Sequence, residues 1–334
     1  MYIKLPRHTR IKLSNGVYHI IMRGSKESPL FRNNYDKLKF LKILQKYKNI
    51  YFFRVFSYCL MDTHIHLLIH SNNADISDFM KSINQSYAQY YNLKYDRIGP
   101  AFANRFKSYL AKSESHIILL SSYIHNNPKD IPKYKNSLDN YRFSSFGIYT
   151  GKLKDAFNLI DYSYILCHFN SDILLSKQQY ANFVGNDIDL TDENINISKK
   201  YYITKNYINT NVNFPCYENN LNLLNFYKFI NDENLLPRNI CPNKIINFVC
   251  SMGNIDPTHL NIKYNRRVAN LRCLCTLLIR SFSNFKIKEV GTLFNNFTPS
   301  SLSQQCNRGY ELISQNKYFE TIFYKFMVKY TNPT

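Results

Sequence analysis

The chain has 334 residues, a formal net charge of +20 and 45% hydrophobic residues. No apolar run approaches the ~20 residues of a membrane span, and the N-terminus lacks the apolar region of a secretory signal. This length predicts two or three domains. The net charge is +14 over residues 1–150, −3 over 151–237 and +9 over 238–334. Two basic segments around a weakly acidic one favour a polyanionic partner, first nucleic acid and second an anionic membrane surface.

The eight cysteines include no CxxC pair. Such usage is typical of buried thiols in a reducing cytoplasm and argues against a disulfide framework or a cysteine zinc site. We therefore expect a cytoplasmic protein without membrane association.

The first 150 residues alternate between strand-like and helical patterns in the order β-α-β-β-α-β-α. Predicted strands cover 17–22, 51–60, 64–70 and 105–110, and predicted helices cover 36–48, 75–94 and Ser113 to about Asn126. Ser113 is a suitable N-cap. Pro128 is expected to end the last helix because the residue before a proline is pushed out of the helical region. This order predicts an α+β fold, an antiparallel sheet with helices on one face.

Residues 151–237 give a weaker pattern, which we interpret as a helical accessory region and linker. Helical spacing occurs at 162–169, 176–184 and 221–231. Residues 185–215 are rich in Asn and Asp, a composition typical of loops.

Two histidines, His64 and His66, lie two residues apart in a predicted strand and therefore share one face of it. Ile65, Leu67 and Ile69 then point to the opposite face, into a core. Two adjacent imidazoles form a chelating pair, so the pattern indicates a metal site. The alternative is a half-exposed strand that happens to contain histidines.

The third predicted helix carries Tyr123 and Asn127, which lie ~40° apart around the helix axis. Taken alone, Tyr123 is one of 28 tyrosines and is interpreted as a packing residue. Together with the two histidines, it would support phosphoryl transfer to a tyrosine, with Mg²⁺ or Mn²⁺ as the metal. Arg105 and Lys107, on the neighbouring predicted strand, are candidate contacts to a DNA backbone.

Five short segments follow one another in a characteristic order and spacing. They are Tyr18–Gly24, Met61–Ile69, Arg105–Ser108, Ser122–Pro128 and Tyr141–Ser145. In these segments the chain resembles the single-tyrosine HUH transposases of insertion sequences, in particular the REP-associated tyrosine transposase branch. The resemblance covers residues 1–185 and implies a ferredoxin-like catalytic domain, which we place at residues 1–150.

The resemblance also implies roles for individual residues. His64 and His66 become the metal ligands, Asn127 a third ligand and Tyr123 the nucleophile. Arg23, which ends the first strand, joins the candidate DNA contacts. Members of this family recognise hairpin-forming DNA ends and cleave one strand, leaving a 5′-phosphotyrosine and a free 3′-OH. The implied setting is the bacterial cytoplasm, with a homodimer as one arrangement that could complete the site.

From residue 238 the chain is predicted to be wholly helical. A basic helix over 262–281 precedes a short helix over 285–294. A turn at 295–297 then leads to a helix with Thr298 as N-cap and Pro299 at its first position. This layout is typical of a helix-turn-helix domain that binds duplex DNA.

The same region resembles the DNA-binding domain of bacterial replication initiators (DnaA-like) in Arg267–Ala269, Ile287–Phe294 and Ser300–Leu302. The resemblance implies base contacts from Thr298, Ser300, Ser301 and Gln304, and phosphate contacts from Arg272 and Arg308. Phe297 replaces the basic turn residue of the initiators, so their sequence preference is not expected here. The alternative is a helical bundle with a solvated basic face.

Three functions fit these patterns. The leading hypothesis is a metal-dependent DNA transposase with an added duplex-binding domain. The second is a regulator that binds hairpin and duplex DNA without cutting. The third is a nucleotide hydrolase with a histidine nucleophile, which requires a glycine-rich phosphate loop. The chain has no glycine between Gly24 and Gly99, which disfavours this third hypothesis.

Overall fold

The computed structural model describes residues 12–13, 15–24, 29–185, 236–262, 264–294 and 297–331. These residues divide into two compact units. The first lies within Met1–Gln45, Arg54–Ser71 and Asp75–Pro215, and the second within Lys46–Phe53, Asn72–Ala74 and Cys216–Thr334. The sequence predicts a separate segment from residue 151, whereas residues 151–185 belong to the first unit.

The first unit is built on a four-stranded antiparallel sheet with the strand order β2-β3-β1-β4. The strands are β1 (Val17–Arg23), β2 (Arg54–Leu60), β3 (His64–His70) and β4 (Lys107–Leu110). Helix α1 (Asn34–Tyr51) connects β1 to β2, α2 (Ile76–Lys94) connects β3 to β4, and α3 (Glu114–Asn126) follows β4. This is the ferredoxin-like arrangement, so the predicted α+β class and element order are confirmed.

Local chemistry sets most of the helix ends. Ser113 caps α3 as predicted, since its side chain accepts a hydrogen bond from the His116 N–H at 3.1 Å. The predicted strand over 51–60 begins only at Arg54. Helix α1 continues through Tyr51, and Phe52 follows it with a φ of 54°, the left-handed conformation that commonly ends a helix.

Both faces of the sheet are covered, which corrects the predicted packing of helices on one face. Ile65, Leu67 and Ile69 point to one face and are completely buried. Helix α3 packs on β2 and β3 over the opposite face, which carries His66. Because α3 has buried side chains around most of its circumference, its surroundings include more than the sheet.

The end of α3 also differs from the prediction. Asn127 keeps a right-handed helical conformation, with φ −52° and ψ −37°, although it precedes Pro128. The chain continues into a 3-10 turn over Asn127–Asp130. Pro128 lies at the start of this turn, where its missing N–H costs no hydrogen bond. Asn127 therefore stays in helical register with Tyr123.

After α3, the described part of the first unit contains three further α-helices. They are α4 (Phe146–Thr150), α5 (Ser163–Leu166) and α6 (Ile173–Gly185). Helices α5 and α6 correspond to the helical spacing at 162–169 and 176–184. The predicted helix at 221–231 and the predicted loop after residue 185 lie outside the described residues.

The described helices of the second unit are α7 (Pro242–Gly253), α8 (Arg266–Phe282), α9 (Ile287–Thr292), α10 (Pro299–Gln315) and α11 (Lys317–Thr331). Thr298 caps α10 as predicted, since its hydroxyl accepts a hydrogen bond from the Ser301 N–H at 3.2 Å. Within the described ranges, no helix combines the length and apolar character of a membrane span.

Helices α8 and α10 approach closely at Gly309. A Cβ atom at this position would lie 2.5 Å from the Cys273 carbonyl oxygen and 3.0 Å from Leu277 Cβ. Gly309→Ala should therefore destabilise the chain by about 1–3 kcal/mol through overpacking, although Ala is the better helix former. Urea unfolding measures the change. Gly185→Ala is the matched control, because its Cβ would meet no atom within 4 Å; equal effects of both substitutions would contradict the prediction.

Candidate active site

The strand register gathers polar side chains on the sheet face beneath α3. Arg23 pairs with His64 and Ile21 pairs with His66 across β1 and β3. Ile21 also pairs with Lys107 across β1 and β4. Paired residues of neighbouring strands point to the same side. We call this side, with Arg23, His64, His66 and Lys107, the histidine face.

Both predicted histidine ligands are held in defined positions. His66 is 1% exposed, whereas His64 is half-buried. Their ring centroids lie 5.0 Å apart. The His64 Nδ1 atom lies 3.0 Å from the Thr63 hydroxyl, and its Nε2 atom lies 3.4 Å from the Asn127 Oδ1 atom. The helix and the strand thus bring an amide oxygen and an imidazole nitrogen together.

This donor set fits a divalent cation. Ligand atoms about 2.1 Å from one ion, at angles near 90–110°, lie roughly 3.0–3.4 Å apart. The spacing between His64 Nε2 and Asn127 Oδ1 falls at the upper end of that range. Among the described residues, no three His, Cys, Asp or Glu side chains gather as a metal site. Asn127 would supply the third donor of such a site, and a mixed nitrogen and oxygen set with open positions would suit Mg²⁺ or Mn²⁺.

Tyr123 lies beside the candidate metal ligands. Its ring is half-buried and stands edge-on to the His66 ring, with centroids 5.7 Å apart. The Asn127 side-chain amide donates a hydrogen bond to the Tyr123 carbonyl oxygen at 3.0 Å. This bond turns the Asn127 Oδ1 atom toward His64. The one-turn spacing of the two residues thus places the phenol and the amide at the same site.

Burial also fixes the charge state of His66. The pKa of His66 lies well below its usual value, first because of burial and then because of unfavourable electrostatic interactions with His19, His64 and Arg23. The imidazole is therefore neutral at physiological pH, which is the form that binds a metal.

Sequence reasoning did not assign a role to His19, although it lies in the first of the five segments. It is completely buried on β1, and its Nε2 atom lies 3.0 Å from the His66 Nδ1 atom. Its ring also meets the Tyr123 ring, with centroids 5.8 Å apart. His19 and Arg23 both occupy odd-numbered positions on β1 and therefore lie on the same face of the sheet. Recognising that this face also carries His66 required the register between β1 and β3.

Part of the chain is similar to a known protein family. Residues 12–127 match the model of a family described as "Transposase IS200 like". This match covers about a third of the 334 residues. The chain is also similar to a solved structure of a REP-associated tyrosine transposase bound to a REP hairpin, with 16% sequence identity and a TM-score of 0.39. That similarity covers 44% of this chain and 87% of the other. Comparison with curated proteins gave no match.

The predicted DNA contacts of the first unit differ in where they lie relative to the sheet. Arg23 and Lys107 are exposed on the histidine face. Arg105 is exposed too, but it lies two residues before β4 rather than on it, which corrects the predicted strand position. Phe106, between Arg105 and Lys107, is buried, so strand-like alternation extends further than the hydrogen-bonded ladder.

Loss of the Lys107 charge should weaken the predicted binding of single-stranded DNA to the first unit. Lys107→Gln is expected to reduce the slope of log affinity against log salt concentration by about 0.7, the value for one lost phosphate contact. Fluorescence anisotropy at several salt concentrations measures this slope. Lys81→Gln, at an exposed lysine of α2, is the control. An unchanged slope for Lys107→Gln would remove this residue from the interface.

The predicted duplex contacts of the second unit fall into two groups. Thr298, Ser300 and Gln304 are exposed at the start of α10, and Ser301 is half-buried. The guanidinium of Arg308 forms an ion pair with Glu311 at 3.2 Å. The guanidinium of Arg272 donates a hydrogen bond to the Leu260 carbonyl oxygen at 2.7 Å and lies over the Phe297 ring. Arg272 thus also stabilises the fold, and the DNA roles of all six residues stay predictions.

Proposed function

We propose that this chain cleaves and rejoins single-stranded, hairpin-bearing DNA in a reaction that depends on Mg²⁺ or Mn²⁺. One observation carries the proposal. Tyr123 and Asn127 share one helical register, with Tyr123 against His66 and the Asn127 Oδ1 atom 3.4 Å from His64 Nε2. A phenol nucleophile and three donors suited to a divalent ion therefore lie in one site of a transposase domain.

The chemistry is a transesterification. The Tyr123 phenol oxygen attacks the scissile phosphorus and loses its proton, while the bond from phosphorus to the 3′ oxygen breaks and that oxygen gains a proton. The products are a 5′-phosphotyrosine and a free 3′-OH, and the covalent bond conserves the energy needed for rejoining. A divalent ion held by His64, His66 and Asn127 would neutralise charge on the phosphate oxygens. Attack by a 3′-OH reverses the reaction.

The substrate class follows from charge and from the five family segments. Arg23 and Lys107 flank the site with exposed positive charge, which suits a phosphate backbone. The resemblance to REP-associated transposases, carried by those segments, indicates a single strand that contains a hairpin.

Adduct formation tests the proposal. The protein is mixed with hairpin-bearing single strands and Mn²⁺, and SDS electrophoresis separates covalent complexes. With a 3′ label the complex should carry the label, whereas with a 5′ label the label should leave on a fragment with a free 3′-OH. Chelation with EDTA should abolish both signals. Hairpin binding without any adduct, across a panel of hairpins and both metals, would instead support the non-cutting regulator.

A second proposed activity is duplex DNA binding by α9 and α10 of the second unit. Its support is the row of exposed polar residues at the start of α10, together with the exposed basic residues Lys286 and Lys288 at the start of α9. The partner is duplex DNA, and a homodimer stays a prediction.

A negative charge at the start of α10 should impair duplex binding. Gln304→Glu is expected to weaken affinity about 10-fold or more, because a carboxylate would face acceptor groups and phosphates. Gln315→Glu makes the same change at the other end of α10, where Gln315 is also exposed, and should have little effect. Electrophoretic mobility shifts with random duplexes measure both. Equal affinities would argue that α10 does not enter the groove.

A further inference from the structure

The buried contact between His19 and the candidate metal ligand His66 has no role in the chemistry described above. The His19 Nε2 atom lies 3.0 Å from the His66 Nδ1 atom, and the two rings stack with centroids 5.3 Å apart and an interplanar angle of 21°. His19 is completely buried and His66 is 1% exposed. Water therefore cannot replace either partner, and the hydrogen bond between them is a constraint on both rings.

The direction of this hydrogen bond decides whether His66 can bind a metal. A neutral imidazole carries one proton, on Nδ1 or on Nε2. If the His66 Nδ1–H donates to His19 Nε2, the His66 Nε2 atom carries no proton and can donate its lone pair to an ion. If His19 donates instead, the His66 proton lies on Nε2 and blocks coordination. Outer hydrogen-bond partners of metal-bound histidines fix the tautomer in this way in many proteins.

His19 also touches the nucleophile. The Tyr123 ring stands edge-on to both histidines, at 5.8 Å from the His19 centroid and 5.7 Å from the His66 centroid. The His19 ring is therefore a common support for a metal ligand and for the tyrosine. A shift of this ring would displace both side chains together.

We infer that His19 is a positioning residue that accepts a hydrogen bond from the His66 Nδ1–H and so presents His66 Nε2 to the metal. This inference rests on the proposed metal site. It assigns His19 no contact with DNA or with the reacting atoms. The role proposed for His19 does not extend to His70, a buried histidine at the far end of β3 that bonds to Asn15 instead.

Metal affinity and the tautomer of His66 test the inference without any activity measurement. Mn²⁺ binding is followed by electron paramagnetic resonance in the full chain and in His19→Leu, His19→Gln and His64→Ala. His19→Leu removes the acceptor and should weaken Mn²⁺ binding about 10- to 100-fold. His19→Gln keeps a side-chain oxygen that can accept, and should recover most of the affinity. Nitrogen-15 NMR of metal-free wild-type protein should show His66 protonated on Nδ1.

The outcomes separate the two levels of the proposal. Wild-type protein that binds no Mn²⁺, or binds it equally well as His64→Ala, overturns the metal site itself. Binding lost in His64→Ala but unchanged in a folded His19→Leu overturns only the role of His19. If His19→Leu does not fold, the NMR result decides alone, and a His66 proton on Nε2 overturns the inference.

Discussion

Tyr123→Phe should abolish the covalent protein–DNA complex and lower strand cleavage at least about a thousandfold, because the substitution removes the attacking oxygen. The ring is retained, and with it the edge-on contacts to His19 and His66. Folding and hairpin affinity should therefore stay close to wild type. The 3′-labelled adduct assay measures the loss, and anisotropy with the same hairpin measures binding.

Tyr109→Phe is the matched control for this loss. Tyr109 lies on β4, is half-buried like Tyr123, and its ring is 6.4 Å from that of His19. Removal of its hydroxyl should leave adduct formation within a few-fold of wild type. An adduct that survives in Tyr123→Phe would overturn the assignment of the nucleophile, and loss in both variants would point to a general effect of the aromatic hydroxyls.

His125→Leu should lower the free energy of unfolding by about 2–4 kcal/mol, because it leaves buried hydroxyls without a partner. Burial lowers the pKa of His125 to about 3, so its ring is neutral in the folded protein. Its Nδ1 atom lies 2.7 Å from the Tyr180 hydroxyl and its Nε2 atom 2.7 Å from the Ser145 hydroxyl. Ser145 also bonds to the Tyr58 backbone on β2, and Tyr180 bonds to Ser121.

One arrangement of protons satisfies all the hydrogen bonds around His125. Ser121 donates to Tyr180, Tyr180 donates to His125 Nδ1, His125 Nε2–H donates to Ser145, and Ser145 donates to the Tyr58 carbonyl oxygen. This series of hydrogen bonds connects α3 to β2 and α6. Since His125 lies two residues after Tyr123, its loss should also slow adduct formation.

A double-mutant cycle distinguishes this connection from a simple loss of volume. Tyr180→Phe removes one hydroxyl, and Tyr180→Phe with His125→Leu should cost less than the sum of the two single changes, by about 0.5–3 kcal/mol. Urea unfolding of the full chain supplies all four values. Strictly additive effects would show that the two groups do not act through a shared hydrogen bond.

Periodicity and capping chemistry predict much of the fold. The alternation around His64 places Ile65 and the two histidines on opposite faces, and Ser113 marks the start of α3, as the structure shows. These features depend on residues close in sequence. The order of seven elements therefore follows from the sequence, and with it the α+β class, whereas the ferredoxin-like domain was implied by the family resemblance.

Features that depend on tertiary packing could not be predicted. The contact between His19 and His66 depends on the register of two strands separated by more than 40 residues. The conformation of Asn127 before Pro128 breaks a local rule because the chain turns into a 3-10 segment there. His125 resembled any other helix residue, since its partners come from α6 and from the loop before α4.

The continuous helical register from Tyr123 to Asn127 has a mechanical consequence. Both side chains are carried by one helical stretch of backbone, so a shift of this backbone moves both of them relative to the histidines. Any movement of α3 would withdraw the nucleophile and one candidate metal donor in a single step. The proposed site would therefore lose or gain its nucleophile and its Asn127 donor together, while His64 and His66 stay on β3.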